Sequence, residues 1–134
     1  SVMDKTNVLL IDDDLDEFEF FLMAVEKMPA LFKCTYASSG YEGIKMLDEI
    51  QPDYIFIDMN MPRCNGLECI QAIKKKENCS FIPLILYSTS IDEKLQKQAR
   101  GLGVANCLQK PFSPDVLSTM LRELAHIHGD FLEN

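Results

Sequence analysis

Solid apolar runs alternate with stretches of helical periodicity along this chain. Val8-Leu9-Leu10-Ile11 and Tyr54-Ile55-Phe56-Ile57 are unbroken runs of large apolar residues. Short runs without polar alternation are the mark of strands buried on both faces. The first leads into Asp12-Asp13-Asp14 and the second into Asp58. A strand buried on both faces has no place for a charge in its interior. These carboxylates therefore belong where strands end, at one edge of a sheet.

Between the runs the period changes. Phe18, Phe21, Leu22 and Val25 recur at helical spacing and predict a helix over about Leu15 to Met28, stopped by Pro29. Cys34 to Ala37 reads as a short strand. Ser38-Ser39-Gly40 offers N-cap chemistry for a helix carrying Ile44, Leu47 and Ile50, and Pro52 ends it. After a loop over Met61 to Gly66, the residues Leu67, Ile70 and Ile73 line a third helix. Phe81 to Tyr87 is an apolar run that predicts the fourth strand, and Ser88-Thr89-Ser90 follows it. Leu95, Ala99 and Leu102 mark a fourth helix closed by Gly101 and Gly103. Ala105 to Gln109 is a weak fifth strand leading to Lys110-Pro111-Phe112. Ser113 caps a last helix with Val116, Leu117, Met120, Leu121 and Leu124 facing inward.

Five strand–helix alternations predict an α/β fold, a flavodoxin-like three-layer sandwich. Right-handed crossovers favour a five-stranded parallel sheet of order 2-1-3-4-5 with five helices. One domain over 6–129 accounts for the pattern, with 1–5 and 130–134 as flexible termini. No internal repeat or linker interrupts it.

Composition narrows the function classes. The net charge of −8 argues against nucleic-acid binding, which needs clustered Lys and Arg. Lys74-Lys75-Lys76 is the basic cluster, and it reads as a solvated helix end. No apolar run approaches the roughly 20 residues that span a membrane. The N-terminus is short and polar, so no signal peptide is expected. The five cysteines, Cys34, Cys64, Cys69, Cys79 and Cys107, form no Cys-x-x-Cys pair. Neither a disulfide framework nor a zinc site is indicated, and reduced thiols in the cytoplasm are expected.

In a parallel sheet all C-terminal strand ends share one side. Asp12, Asp13, Asp58, Ser88 and Lys110 each follow an apolar strand, so they converge there. In the order 2-1-3-4-5, strands one and three flank the switch point where ligands bind. Three crowded carboxylates repel one another, and a divalent cation relieves that. All-oxygen ligation favours Mg²⁺, with Mn²⁺ as substitute, over zinc. A carboxylate flanked by a metal, a lysine and a hydroxyl is suited to phosphoryl transfer, with the carboxylate as nucleophile.

The pieces Val8 to Asp14, Tyr54 to Pro62 with Gly66, Leu86 to Ser90 and Gln109 to Phe112 together resemble the receiver domain of two-component response regulators. The likeness runs over nearly the whole length, and the chain looks like a stand-alone, chemotaxis-type receiver. The resemblance implies that Asp58 accepts a phosphoryl group from a phosphohistidine on a sensor histidine kinase or phosphotransfer protein. It implies Asp13, Asp58 and the backbone carbonyl of Asn60 as Mg²⁺ ligands, with Asp12 acting through water. Lys110 would pair with Asp58 and later with the phosphoryl group. Ser88 would hydrogen-bond that group and act as the switch. Asn60 and Ser90 would tune the lifetime of the phosphorylated state. A cis Lys110–Pro111 bond is implied as well. Output would use helix four, strand five and helix five toward a downstream protein, with the chain a monomer or weak homodimer. The family's usual aromatic switch position holds Cys107 here, which has no ring to swing. Such a domain is not an enzyme in its own right; it promotes only its own phosphorylation and slow autodephosphorylation.

Plainer readings stand beside these. Asp14, Asp16 and Glu17 suit a turn and a helix N-terminus. His126 and His128 suit an exposed helix face. Phe20 and Met23 fall off the main helical stripe and could mark a partner surface. Two other functions compete. One is a haloacid-dehalogenase-like phosphatase with Asp12 as nucleophile, although Asp16 stands where that motif wants Thr or Val. The other is a receiver-like scaffold that is never phosphorylated. A calcium loop at Asp12, Asp14 and Asp16 fails, because Glu17 and Met23 hold the required Gly and Glu positions.

Overall fold

The structure, a computed structural model, describes residues 5–127. Five strands form it: β1 (Thr6–Ile11), β2 (Phe32–Ala37), β3 (Tyr54–Ile57), β4 (Leu84–Ser88) and β5 (Asn106–Gln109). Their order is β2-β1-β3-β4-β5 and every pairing is parallel. The helices are α1 (Leu15–Glu26), α2 (Gly40–Met46), α3 (Gly66–Lys74), α4 (Glu93–Gly101) and α5 (Pro114–Ile127). This is the predicted flavodoxin-like arrangement.

The apolar runs are solid because each strand is covered on both sides. Val8 and Leu10 point to one core with Phe56, Tyr87 and residues of α1 and α5, namely Phe21, Val25, Leu117 and Leu121. Leu9 and Ile11 point to the other, with Ile55, Ile57, Leu86, Ile70 and Ile73 of α3 and Ala99 of α4. Phe21, Phe56 and Tyr87 meet edge to face at centroid distances of 5.2–5.8 Å. Such pairs add about 0.5–1.5 kcal/mol each beyond area burial.

Side chains at the strand exits start the helices. Asp14 caps α1, Ser39 caps α2 and Asp92 caps α4. Asn65 and Glu68 form a reciprocal capping box at α3. Ser113 Oγ accepts from Val116 N at 3.2 Å, with Pro114 as the first residue of α5, a position that suits proline. Each such cap contributes about 1 kcal/mol. Gly103, at φ 95°, provides the left-handed residue after α4.

Several expectations are corrected. The fourth strand begins at Leu84, not at Phe81, and Phe81 is 65% exposed. Ile82 N donates to Cys79 O in a turn before the strand, and Pro83 has no N–H for a ladder. Val116 is half exposed, because the inward stripe of α5 runs through Leu117, Leu121, Leu124 and Ala125. Ile50 lies beyond the end of α2 and is exposed. Gly101 is the last residue of α4 rather than a stop. No peptide bond among the described residues is cis, so Lys110–Pro111 is trans; that is the intrinsic preference of an X–Pro bond. The expected flexible segment 130–134, residues 1–4 and His128 lie outside the described residues. His126 is exposed, as expected.

Candidate functional site

Sheet pairing continues one residue past the strand ends and carries the polar residues into register. Asp12 N donates to Ala37 O at 3.1 Å, Asp58 N to Ile11 O at 2.9 Å, and Lys110 N to Ser88 O at 2.8 Å. The backbone thus places Asp12 and Asp58 side by side, at the crossing point between β1 and β3. Ligand oxygens of Asp12, Asp13 and Asp58 all lie within 4.8 Å of one another. Asp12 is fully buried, Asp58 nearly so, and Asp13 is exposed.

Lys110 answers this charge. Its Nζ lies 2.8 Å from Asp12 Oδ2, 3.2 Å from Asp58 Oδ1 and 3.7 Å from Glu17 Oε2. The ammonium also sits 5.6 Å from the centroid of the Tyr87 ring. Burial opposes its charge, but the hydrogen bond to Asp12 and the carboxylates of Asp12, Asp58 and Glu17 raise its pKa. Burial, and then the neighbouring Asp12, push the Asp58 carboxyl up to about 6, against the pull of Lys110. Burial also raises Asp12, despite its bond to Lys110. Ser88 Oγ is fully buried and has no hydrogen-bond partner among the described residues. An orphaned hydroxyl is a donor without its acceptor.

The loop after β3 is shaped around Asp58. Gly66 N donates to Met59 O at 2.8 Å. A Cβ on Gly66 would lie 2.7 Å from both Asp58 O and Met59 Cα, so only glycine permits this approach. Arg63 takes φ 66°, a left-handed conformation that costs a non-glycine residue about 1 kcal/mol or more. Asn60 and Ser90 are exposed on the loops flanking the site. Cys107 is half buried on β5 beside Leu86 and packs toward the α3–α4 core.

The expected residues Asp12, Asp13, Asp58, Ser88 and Lys110 lie at one sheet edge. Asp14 is an N-cap, as its plain reading had it. Glu17 stands in the first turn of α1, as that reading had it, and in addition reaches Lys110. The signal lay in its phase: Glu17 stands one turn before the fully buried Phe21, so it continues the inward stripe of α1. Asp12 does not offer a free nucleophile. Its Oδ1 accepts from Asp14 N at 3.0 Å and its Oδ2 is held by Lys110.

The profile of the response regulator receiver domain matches residues 8–122. A probable chemotaxis protein CheY of Rhizobium etli is 31% identical, over 84% of this chain and 87% of that protein. The hybrid signal transduction histidine kinase C of Dictyostelium discoideum is 28% identical over 88% of this chain. This chain spans only 10% of that kinase, and 37% of a Pyrococcus abyssi protein-glutamate methylesterase that is 31% identical. Among solved structures, chemotaxis protein CheY4 of Vibrio cholerae superposes at TM-score 0.80 with 23% identity, covering 90% of this chain and 98% of that one. The receiver domain of sensor histidine kinase PA1611 from Pseudomonas aeruginosa, solved with magnesium in its active site cleft, gives TM-score 0.78 at 18% identity, covering 94% and 99%. The chain belongs to the response regulator receiver domain family.

Proposed function

We propose that Asp58 is the phosphoacceptor of a receiver that takes its phosphoryl group from a phosphohistidine. The donor is a sensor histidine kinase or a phosphotransfer protein. An Asp58 carboxylate oxygen attacks phosphorus, the P–N bond breaks, and the imidazole leaves and takes up a proton. Asp58 becomes an acyl phosphate, which water later cleaves to inorganic phosphate and the free carboxylate. Lys110, already 3.2 Å from Asp58, pairs with the new phosphoryl oxygens and offsets their charge. Ser88 donates its orphaned hydroxyl to one of them.

The donor set fits Mg²⁺, with Mn²⁺ as substitute. The ligands are oxygens, and three carboxylates converge. Asp13, Asp58 and the Asn60 backbone carbonyl would be the direct ligands, with Asp12 acting through water. The ion when bound supplies positive charge opposite the phosphoryl oxygens.

The observation that carries this reading is the buried Asp58–Lys110 pair beside Asp12 and Asp13, with an unpartnered Ser88 hydroxyl at the same edge. Cys107 cannot report the switch through a ring. On this reading the state of Ser88 is passed through the backbone leading to α4, toward the α4–β5–α5 face and a downstream protein. Incubation with Mg²⁺ and acetyl phosphate, followed by intact-mass and peptide mass spectrometry, is expected to place one phosphate on Asp58. Asp58→Asn should abolish the label. A label on Asp12, or turnover of phosphate monoesters, would overturn the proposal.

A further inference from the structure

Three carboxylates, those of Asp12, Asp58 and Glu17, pair with the Lys110 ammonium, and one of them comes from outside the strand ends. Glu17 projects from the first turn of α1, and its Oε2 lies 3.7 Å from Lys110 Nζ. Its side chain is 28% exposed, and Lys110 is its salt-bridge partner. The helix fixes this approach, because Glu17 is one turn from Phe21, which is locked between Phe56 and Tyr87. Tyr87 does not hold Glu17: its hydroxyl is buried with no hydrogen-bond partner among the described residues. A helix N-terminus accounts for an acidic residue in the first turn. It does not account for one directed to the lysine that pairs with Asp58.

We infer that Glu17 sets the charge of the site: it strengthens divalent-cation binding and slows uptake of the dianionic phosphoryl group. With Asp12, Asp13 and Asp58 alone, Lys110 and a divalent cation would balance the carboxylates. Glu17 leaves the loaded site negative. The cation gains from the extra carboxylate, and an incoming phosphate dianion is repelled by it. Glu17 is a positioning and charge-setting residue, not one that touches the reacting atoms. The inference rests on Asp58 as phosphoacceptor for its second half only.

Glu17→Gln keeps the size and helix preference of the side chain and removes the charge. Mg²⁺ titration by calorimetry is expected to show Kd raised about three- to tenfold, the scale for one unit charge near a partly exposed divalent site. At saturating Mg²⁺, labelling of Asp58 by acetyl phosphate should instead accelerate, by a similar factor. Both differences should shrink as ionic strength rises. Glu17→Asp, which keeps the charge, should return both readouts toward the parent values. Opposed shifts are the signature, since a damaged site would weaken both. Unchanged Kd and rate, parallel losses, or Glu17→Asp matching Glu17→Gln would overturn the inference. Absence of any label on Asp58 in the parent protein would sink the phosphoacceptor reading instead. The Mg²⁺ titration would then decide by itself whether Glu17 serves the cation site.

Discussion

Replacing Asp58 by Asn is expected to stabilise the metal-free protein at neutral pH. Asparagine keeps the shape of the side chain and removes its charge. Burial, then Asp12, hold the Asp58 carboxyl at about 6 against its ordinary 3.8, with Lys110 opposing them. At about 1.36 kcal/mol per pH unit, that gap corresponds to roughly 3 kcal/mol of destabilisation by the ionised form. Asp12 and Lys110 relax around the change, which brings the expected gain to about 1–3 kcal/mol.

The pH dependence follows from the direction of the shift. Well below the ordinary value of 3.8 the carboxyl is protonated in the folded and unfolded chains alike, and the parent protein and its Asp58→Asn variant should be equally stable. As pH rises toward 6, the folded state keeps a proton that the unfolded state has lost. Stability of the parent protein therefore falls through that window, and the advantage of Asp58→Asn opens. Above it the advantage is constant. Thermal unfolding followed by circular dichroism in EDTA, at several pH values, measures this directly. For a chain of this length about 1 kcal/mol moves Tm by roughly 3–5 °C. On the proposed ligand set, added Mg²⁺ should raise Tm of the parent protein more than that of the variant, which would lack one of the carboxylates. An equal or lower Tm for Asp58→Asn at neutral pH in EDTA would refute the reasoning. A gap that does not change with pH would refute it too.

Other substitutions probe the same edge. Ser88→Ala removes a buried hydroxyl that has no partner among the described residues, so the resting protein should lose no stability and could gain up to about 1 kcal/mol; acetyl-phosphate labelling should slow, measured by mass spectrometry over time. Gly66→Ala forces a Cβ to within 2.7 Å of Asp58 O and Met59 Cα; a loss of about 1–3 kcal/mol is expected in urea melts, with slower labelling of Asp58. Asn60→Ala and Ser90→Ala, on the exposed loops beside the site, should change the decay rate of phosphorylated Asp58 in Mg²⁺ after the phosphodonor is removed, and unchanged decay in both would remove them as lifetime residues.

Much of this architecture was legible because the sheet is covered on both faces. Val8–Ile11 and Tyr54–Ile57 have no polar member, and no exposed strand could carry them. Caps at Ser39 and Ser113 were visible for a local reason: a hydroxyl satisfies free helix N–H groups whatever the tertiary context. Phe81 stays outside the strand despite its apolarity, because Pro83 lacks the N–H that would extend the ladder and β4 starts at Leu84. Val116 misled because one residue of helical phase, about 100°, separates it from the buried Leu117. The strand ends pointed to Asp12, Asp13, Asp58, Ser88 and Lys110, since parallel topology sends them all to one edge. The burial of Ser88 Oγ was not legible. It depends on neighbours from other strands, and no local pattern encodes them.

Glu17 shows how a site is joined across elements. Its neighbours in sequence, Asp14 and Asp16, serve the helix start: Asp14 Oδ1 accepts from Asp16 N at 2.9 Å. Composition alone treats the three alike. Geometry separates them, because only Glu17 shares a helix face with Phe21, and Phe21 is pinned in the core against Tyr87, whose ring lies 5.6 Å from the Lys110 ammonium. A rigid apolar contact thus aims a charged group at the lysine. Any change that rotates α1 about its axis would move Glu17 and Phe21 together. Such a rotation would alter the charge around Lys110 without touching a strand-end residue.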